Sequence, residues 1–219
     1  MHHLRSIFLA ILSIVVLSSC ANVQPVPYSD IQSSSYWKTN DGPDSTRIPF
    51  SYSKNVEWVH YTSIIIEPVK IYVGADNQFN KIDDADKSAL ASYMDQTFKQ
   101  KLSPLFRLSN AAGPNTLRLS LTLTGADTNS RVAGTLTRLN LLGGLYDGVQ
   151  AARGKNAAFS GSVSYTVEIY DAESNKILYT YVTQQYPNAL NGASSFTPLG
   201  AAKAGIVKGA EMLAEQLKR

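Results

Sequence analysis

The chain has one cysteine, Cys20, and three histidines, His2, His3 and His60. That excludes a disulfide within one copy, and no metal is expected, because the cysteine and histidine spacings of a structural zinc site cannot be assembled. Charge is sparse and mixed. Twenty Lys and Arg stand against 17 Asp and Glu, scattered without a basic run. Nucleic-acid recognition needs a basic stripe or patch, so that partner class is excluded. There is no G-x-S-x-G elbow and no phosphate-cradling glycine loop, so neither motif points to hydrolase or nucleotide chemistry. No apolar run reaches the roughly 20 residues needed to span a hydrocarbon core as a helix.

What is present begins at the amino terminus. MHHLRSIFLAILSIVVLSSC carries one fixed positive charge, Arg5, then the apolar run Ile7 to Leu17, then small residues. That order is a secretory signal peptide. Its last residues, Leu17-Ser18-Ser19-Cys20, resemble the bacterial lipobox, in which a branched apolar residue and two small ones precede an acylated cysteine. The resemblance implies cleavage between Ser19 and Cys20, with residues 1–19 removed. No cofactor is expected beyond covalent lipid on Cys20. Two or more acyl chains hold a protein firmly where one does so reversibly. Removing Arg5 leaves 19 basic against 17 acidic residues, a net charge of about +2, so lipid and not charge sets the address. Ala21 follows the cysteine; an aspartate there is the familiar inner-membrane retention signal of enterobacterial lipoproteins, and its absence favours the outer membrane, with the domain facing the periplasm.

Residues 20–55 contain four prolines and many Ser, Asn and Asp without apolar period. That composition predicts a tether or irregular leader. Tyr28, Tyr36, Trp37, Phe50 and Tyr52 exceed what a spacer needs and predict that part of it packs back. The body, residues 56–219, predicts an α+β domain: a mostly antiparallel sheet of about five strands with two or three helices, in the order β-α-β-β-(α)-β-β-α.

Tyr61 to Val73 is rich in β-branched and aromatic residues and reads as a long strand, kinked or at an edge where Pro68 lacks an amide. Asp83, Asp84 and Asp86 precede a helix to Leu102, with Leu90, Tyr93, Met94, Thr97, Phe98, Lys101 and Leu102 on one face. Leu105 to Ser109 reads as a short strand. Thr116 to Thr124 alternates leucines with Arg118, Ser120, Thr122 and Thr124, predicting one buried and one wet face. Ser162 to Tyr170 and Lys176 to Tyr186 form a hairpin around Asp171 to Asn175. The final helix has Thr197 as expected cap and Pro198 in its first turn, with Leu199, Ala202, Ile206, Ala210, Leu213 and Leu217 as its apolar stripe.

This order resembles the proteobacterial lipoprotein family of "domain of unknown function 3313". The residues carrying the match are Tyr61 to Val69 with Glu67-Pro68-Val69, the Asp84 to Leu102 helix with Leu90 and Tyr93, the Leu117 to Leu123 strand, and Gly161 to Asp171. The resemblance implies a fold and an address, and brings no catalytic residues. At fold level the order is also similar to the amino-terminal domain of TolB and to outer-membrane activators of peptidoglycan synthases, which does not give function.

Candidate sites are few. Glu67 sits between Ile66 and Pro68 in an apolar strand, where a carboxylate needs a partner; the sequence nominates no second acid or base, so a turn or bulge contact is expected over catalysis. His60 has no histidine to share a metal with and reads as structural or surface. The stretch from Arg131 to Gly161 concentrates Leu139, Leu141, Leu142, Leu145, Tyr146 and Val149 around Gly143-Gly144. Two readings stay open for it. Core packing as a crossover helix is favoured, and an apolar segment docking on a partner or bilayer, with Leu141, Leu142, Leu145 and Tyr146 as its surface, is the alternative. The functional expectation is a noncatalytic accessory protein of the envelope that binds another envelope protein or itself. The alternative is a binding module for a small amphiphile or glycan, with an enzyme third.

Overall fold

The computed structural model describes residues 25–80, 82–127, 161–187 and 197–218. The signal peptide, Cys20 and the apolar cluster from Leu139 to Val149 lie outside these residues. The elements run β1 (Lys38–Thr39), β2 (Phe50–Ser53), β3 (Ser63–Ile66), β4 (Lys70–Ile71), β5 (Gln78–Asn80), α1 (Asp84–Leu102), β6 (Arg107–Leu108), β7 (Thr116–Asp127), β8 (Val163–Asp171), β9 (Ile177–Gln185) and α2 (Gly200–Leu217). Single 3-10 turns occupy Gln32–Tyr36 and Trp58–His60.

The class is α+β, with one sheet of nine strands and two long helices among the described residues. The strand count exceeds the expected five for two reasons. Residues 25–55, expected as leader, supply β1 and β2, and β2 pairs antiparallel with β9. The expected long strand from Tyr61 to Val73 is broken into β3 and β4 at Pro68. Ile66 pairs with Leu119 and Lys70 with Thr122; four residues on one side match three on the other, which is the extra-residue geometry of a bulge. The sheet runs β1-β2-β9-β8-β7-β3-β6, with β4 and β5 also on β7. Its long ladders, β7 with β8 and β8 with β9, are antiparallel as expected. The strands β3, β4 and β5 join β7 in parallel, which was not expected.

One face of the sheet carries the main core. Leu117, Leu119, Leu121 and Leu123 of β7, with Val163, Tyr165, Val167 and Ile169 of β8, are fully buried under α1 and α2. Each such side chain contributes roughly 1.5–3 kcal/mol by leaving water. Helix α1 starts where the acidic cluster predicts. Asp83 accepts the Asp86 amide at 2.8 Å, and Asp84 and Asp86 occupy the positive end of the dipole. Its buried residues are Leu90, Ala91, Met94, Thr97, Phe98 and Leu102, and Phe98 meets Tyr165 edge-on with centroids 6.0 Å apart.

Helix α2 buries the expected stripe apart from partly exposed Leu199, together with Gly205 and Gly209. The two glycines set how closely it lies on the sheet. A methyl group at Gly209 would sit 1.7 Å from the Tyr165 hydroxyl, and one at Gly205 2.9 Å from the Gln185 carbonyl. The expected Thr197 cap is corrected: Leu199 holds the cap position without a side-chain bond. The Thr197 carbonyl instead accepts the Gly200 amide in the preceding turn.

The opposite face overturns the expectation of a wet strand. Ser120, Thr122 and Thr124 of β7 and Thr166 of β8 are buried. They are covered by the amino-terminal segment, where Tyr28, Ile31, Tyr72 and Val182 form a second small core with Trp37 and Phe50. The Trp37 indole donates to Thr180 Oγ1 at 3.0 Å, and the Tyr28 hydroxyl donates to Gln78 Oε1 at 3.0 Å. The segment thus satisfies Thr180 and Gln78, polar groups that a purely apolar cover would strand.

Candidate functional site

On this second face, beside the amino-terminal segment, lies a groove of about 440 Å³. Strand alternation builds its floor. Arg118, Ser120 and Thr122 project to the same side from β7, and antiparallel register sets Arg118 opposite Tyr170, Ser120 opposite Glu168 and Thr122 opposite Thr166. Lys70 enters from β4 opposite Thr122. Asp30 to Gln32 and Tyr72 to Gly74 complete the wall.

Three charges at the groove, Arg118, Lys70 and Glu67, engage one another. Arg118 donates through Nη1 to Glu67 Oε1 at 2.9 Å and through Nη2 to Asn175 Oδ1. Lys70 Nζ lies 3.6 Å from Glu67 Oε2 and 3.2 Å from Ser120 Oγ. The Arg118 guanidinium stacks on the Tyr170 ring, 4.1 Å from its centroid. The Tyr170 hydroxyl donates to Glu168 Oε1 at 3.0 Å. Asn175 has φ of 57° in the hairpin turn, a left-handed conformation that asparagine tolerates.

Protonation follows from this arrangement. Partial burial raises the Glu67 pKa, but hydrogen bonds from Arg118 and Ser120 and the charges of Arg118 and Lys70 prevail and hold it below the usual carboxylate range. Burial, then the neighbouring Glu168, push the Tyr170 hydroxyl well above its ordinary value. Neither group is poised to exchange a proton near neutrality, which a general acid or base requires. The arrangement can present fixed charge and hydroxyls to a ligand. No cluster of three His, Cys, Asp or Glu side chains able to hold a metal occurs among the described residues.

Residues 27–213 match the family described as "Protein of unknown function (DUF3313)". The chain belongs to this family. The match opens at the amino-terminal segment that covers the sheet, so that segment falls inside the DUF3313 unit. No curated protein matches the chain. Among solved structures, the DUF3313 chain is similar to a PelC dodecamer subunit from Paraburkholderia phytofirmans, with 15% identity over 74% of this chain and 94% of that one, at a TM-score of 0.38. It is similar to the hypothetical protein CT253 from Chlamydia trachomatis, with 10% identity over 71% and 94%, at a TM-score of 0.38. A putative neuraminyllactose-binding hemagglutinin homolog from Helicobacter pylori matches with 10% identity over 76% and 86%, at a TM-score of 0.32. These likenesses are loose.

Of the residues expected from sequence, Glu67 lies at the bulge beside the groove, with Arg118 as the partner that the sequence did not nominate. His60 is exposed beside Glu57, 3.4 Å away, and does not line the groove. Ser19, Cys20, Leu141, Leu142, Leu145 and Tyr146 lie outside the described residues. Sequence reasoning missed Lys70, Arg118, Glu168 and Tyr170. A signal for three of them existed, since each occupies a polar position of an alternating strand, but alternation alone reads such positions as solvated.

Proposed function

We propose that this DUF3313 protein is a lipid-anchored protein of the bacterial outer membrane, facing the periplasm, that acts by binding and not by catalysis. The observation that carries the reading is the groove, where Arg118, Lys70 and Glu67 are held in fixed pairs beside the hydroxyls of Ser120, Thr122 and Tyr170. Such a surface recognises a partner at fixed charge and shape. The anchor rests on the lipobox at Cys20, and the partner of choice is another envelope protein, with self-association as the variant. A second reading, a glycan-binding module, draws support from the Ser120, Thr122, Glu168 and Tyr170 lining, which suits hydroxyl-rich ligands better than an amphiphile.

The test is cross-linking in intact cells of the native host, followed by purification of the tagged full-length protein. One envelope protein should be enriched, and it should be lost in both Cys20→Ser and Arg118→Glu. Recovery of the protein alone sinks the hetero-partner reading. A thermal shift with muropeptides, abolished by Arg118→Glu, would then favour the glycan reading, because a ligand stabilises the state it binds.

A further inference from the structure

The amino-terminal segment fixes how far the folded body can stand from Cys20. Tyr28 is completely buried, and Pro25 is the first described residue and also buried. Five residue steps separate Cys20 from Pro25. Fully extended, they reach about 18 Å. A body of this size has a radius of gyration of about 16 Å, so the leash is comparable in length with the body's own radius. A leader ending at residue 55 would have reached on the order of 120 Å. The short leash removes free tumbling and leaves one end of the molecule next to the anchor.

That end is defined by contacts. The Tyr28 and Tyr72 rings pack with centroids 5.1 Å apart. The Ser29 amide donates to Asp76 Oδ2 at 3.0 Å, and the Asp30 amide donates to the Tyr72 hydroxyl at 3.2 Å. The Tyr72 hydroxyl donates to Asp76 Oδ1 at 2.6 Å. The Asp76 carboxylate is therefore engaged inside the loop. Gly74 permits this closure, because a methyl group there would overlap the Tyr72 hydroxyl. Beside these contacts the end exposes two valines, Val26 at 36% and Val73 at 90%. Val73 presents almost its whole side chain to the surroundings, at the tip of a loop pinned to the segment that leads to the anchor.

We propose that this end is the membrane-facing surface of the protein, with Val73 and Val26 touching the lipid bilayer that holds Cys20. The inference deepens the anchor reading and rests on it. The opposite end of β7 supplies an internal control. Thr62 donates to the Asn115 carbonyl there, whereas Tyr72 donates to the Leu123 carbonyl; eight residues of strand separate the two by about 26 Å. Val59, 78% exposed, lies at that far end and should stay in water.

Acylation of Cys20 consumes the chain's one native thiol, so an introduced cysteine is the single site for a label. The full-length protein, carrying Val73→Cys or Val59→Cys and processed in a lipidating host, is labelled with an environment-sensitive fluorophore. It is then reconstituted into vesicles of phosphatidylethanolamine and phosphatidylglycerol containing a spin-labelled lipid. The expected result is flotation of both proteins with the vesicles, with blue-shifted emission and several-fold stronger quenching at position 73 than at position 59. Flotation with equal quenching at both positions overturns the membrane-facing surface and leaves the anchor standing. Failure to float, shared by the parent and by Cys20→Ser, overturns the anchor and this inference with it.

Discussion

On its helix side the sheet presents four leucines of β7 and the Val, Tyr and Ile row of β8 to α1 and α2. On its other side the same strands present Ser120, Thr122, Thr124, Thr166 and Glu168 to a strap of residues from the amino terminus. The first face is held by apolar contact over a continuous core, with Gly205 and Gly209 bringing α2 close. The second is held by a few aromatic anchors and hydrogen bonds, such as Trp37 to Thr180, and it opens into a charged groove where the strap ends. Apolar packing is concentrated on one face, and charged and hydroxyl side chains on the other. The difference teaches that burial by itself does not mark a core: both faces are dry over most of β7, but only one is apolar.

The contrast can be broken most strongly on the helix side. Leu121→Ala should cost about 2–5 kcal/mol, as large-to-small changes in full burial do, read as a lower midpoint in urea unfolding. The comparison substitution on the other face, Thr166→Val, should change stability by under ~1 kcal/mol, because its buried hydroxyl has no hydrogen-bond partner among the described residues and an apolar isostere then loses little. Equal costs at the two positions would erase the distinction.

Of similar size is the effect expected at the strap. Tyr28→Ala removes a fully buried aromatic from the second core and should cost about 3–5 kcal/mol if the strap unfolds together with the sheet. A preserved unfolding midpoint, with early proteolytic cleavage between residues 25 and 40, would instead make the strap a separable cover.

The smallest effect concerns Glu67. Its folded-state pKa is depressed, so its contribution is present above the unfolded carboxylate pKa of about 4.3 and disappears as pH falls through the folded value. Glu67→Gln should therefore cost under ~1 kcal/mol at neutral pH, in line with partly exposed ion pairs. It should also flatten the loss of stability on acidification, measured as the thermal midpoint across pH 2 to 7. An unchanged acid limb would remove Glu67 from the set of groups that set it.

Much of this was legible in local pattern. The Asp83 cap, the α1 face, the leucine alternation of β7, the β8 to β9 hairpin and the α2 stripe all depend on residues within a turn or a strand of each other. Local spacing is enough to state them. The groove was not legible in the same way. Glu67 and Arg118 are 51 residues apart in the chain, and Arg118 and Tyr170 become neighbours only through register across two long strands. The polar residues of 25–55 read as leader because aromatics without period leave no strand signature, although Tyr28 and Trp37 were the visible hint of packing.

The sequence by itself determined the two helices, the long alternating strands and, through the lipobox, the expectation of an anchor at Cys20, because each is set by neighbouring side chains and backbone propensity. The tertiary structure alone decided that β3 to β5 enter parallel to β7, that the polar face is covered, and that Pro25, five residue steps after the cysteine, is already buried. Those outcomes depend on which distant segment satisfies the exposed hydrogen-bonding edge and the row of hydroxyls, a competition between surfaces that no local spacing records.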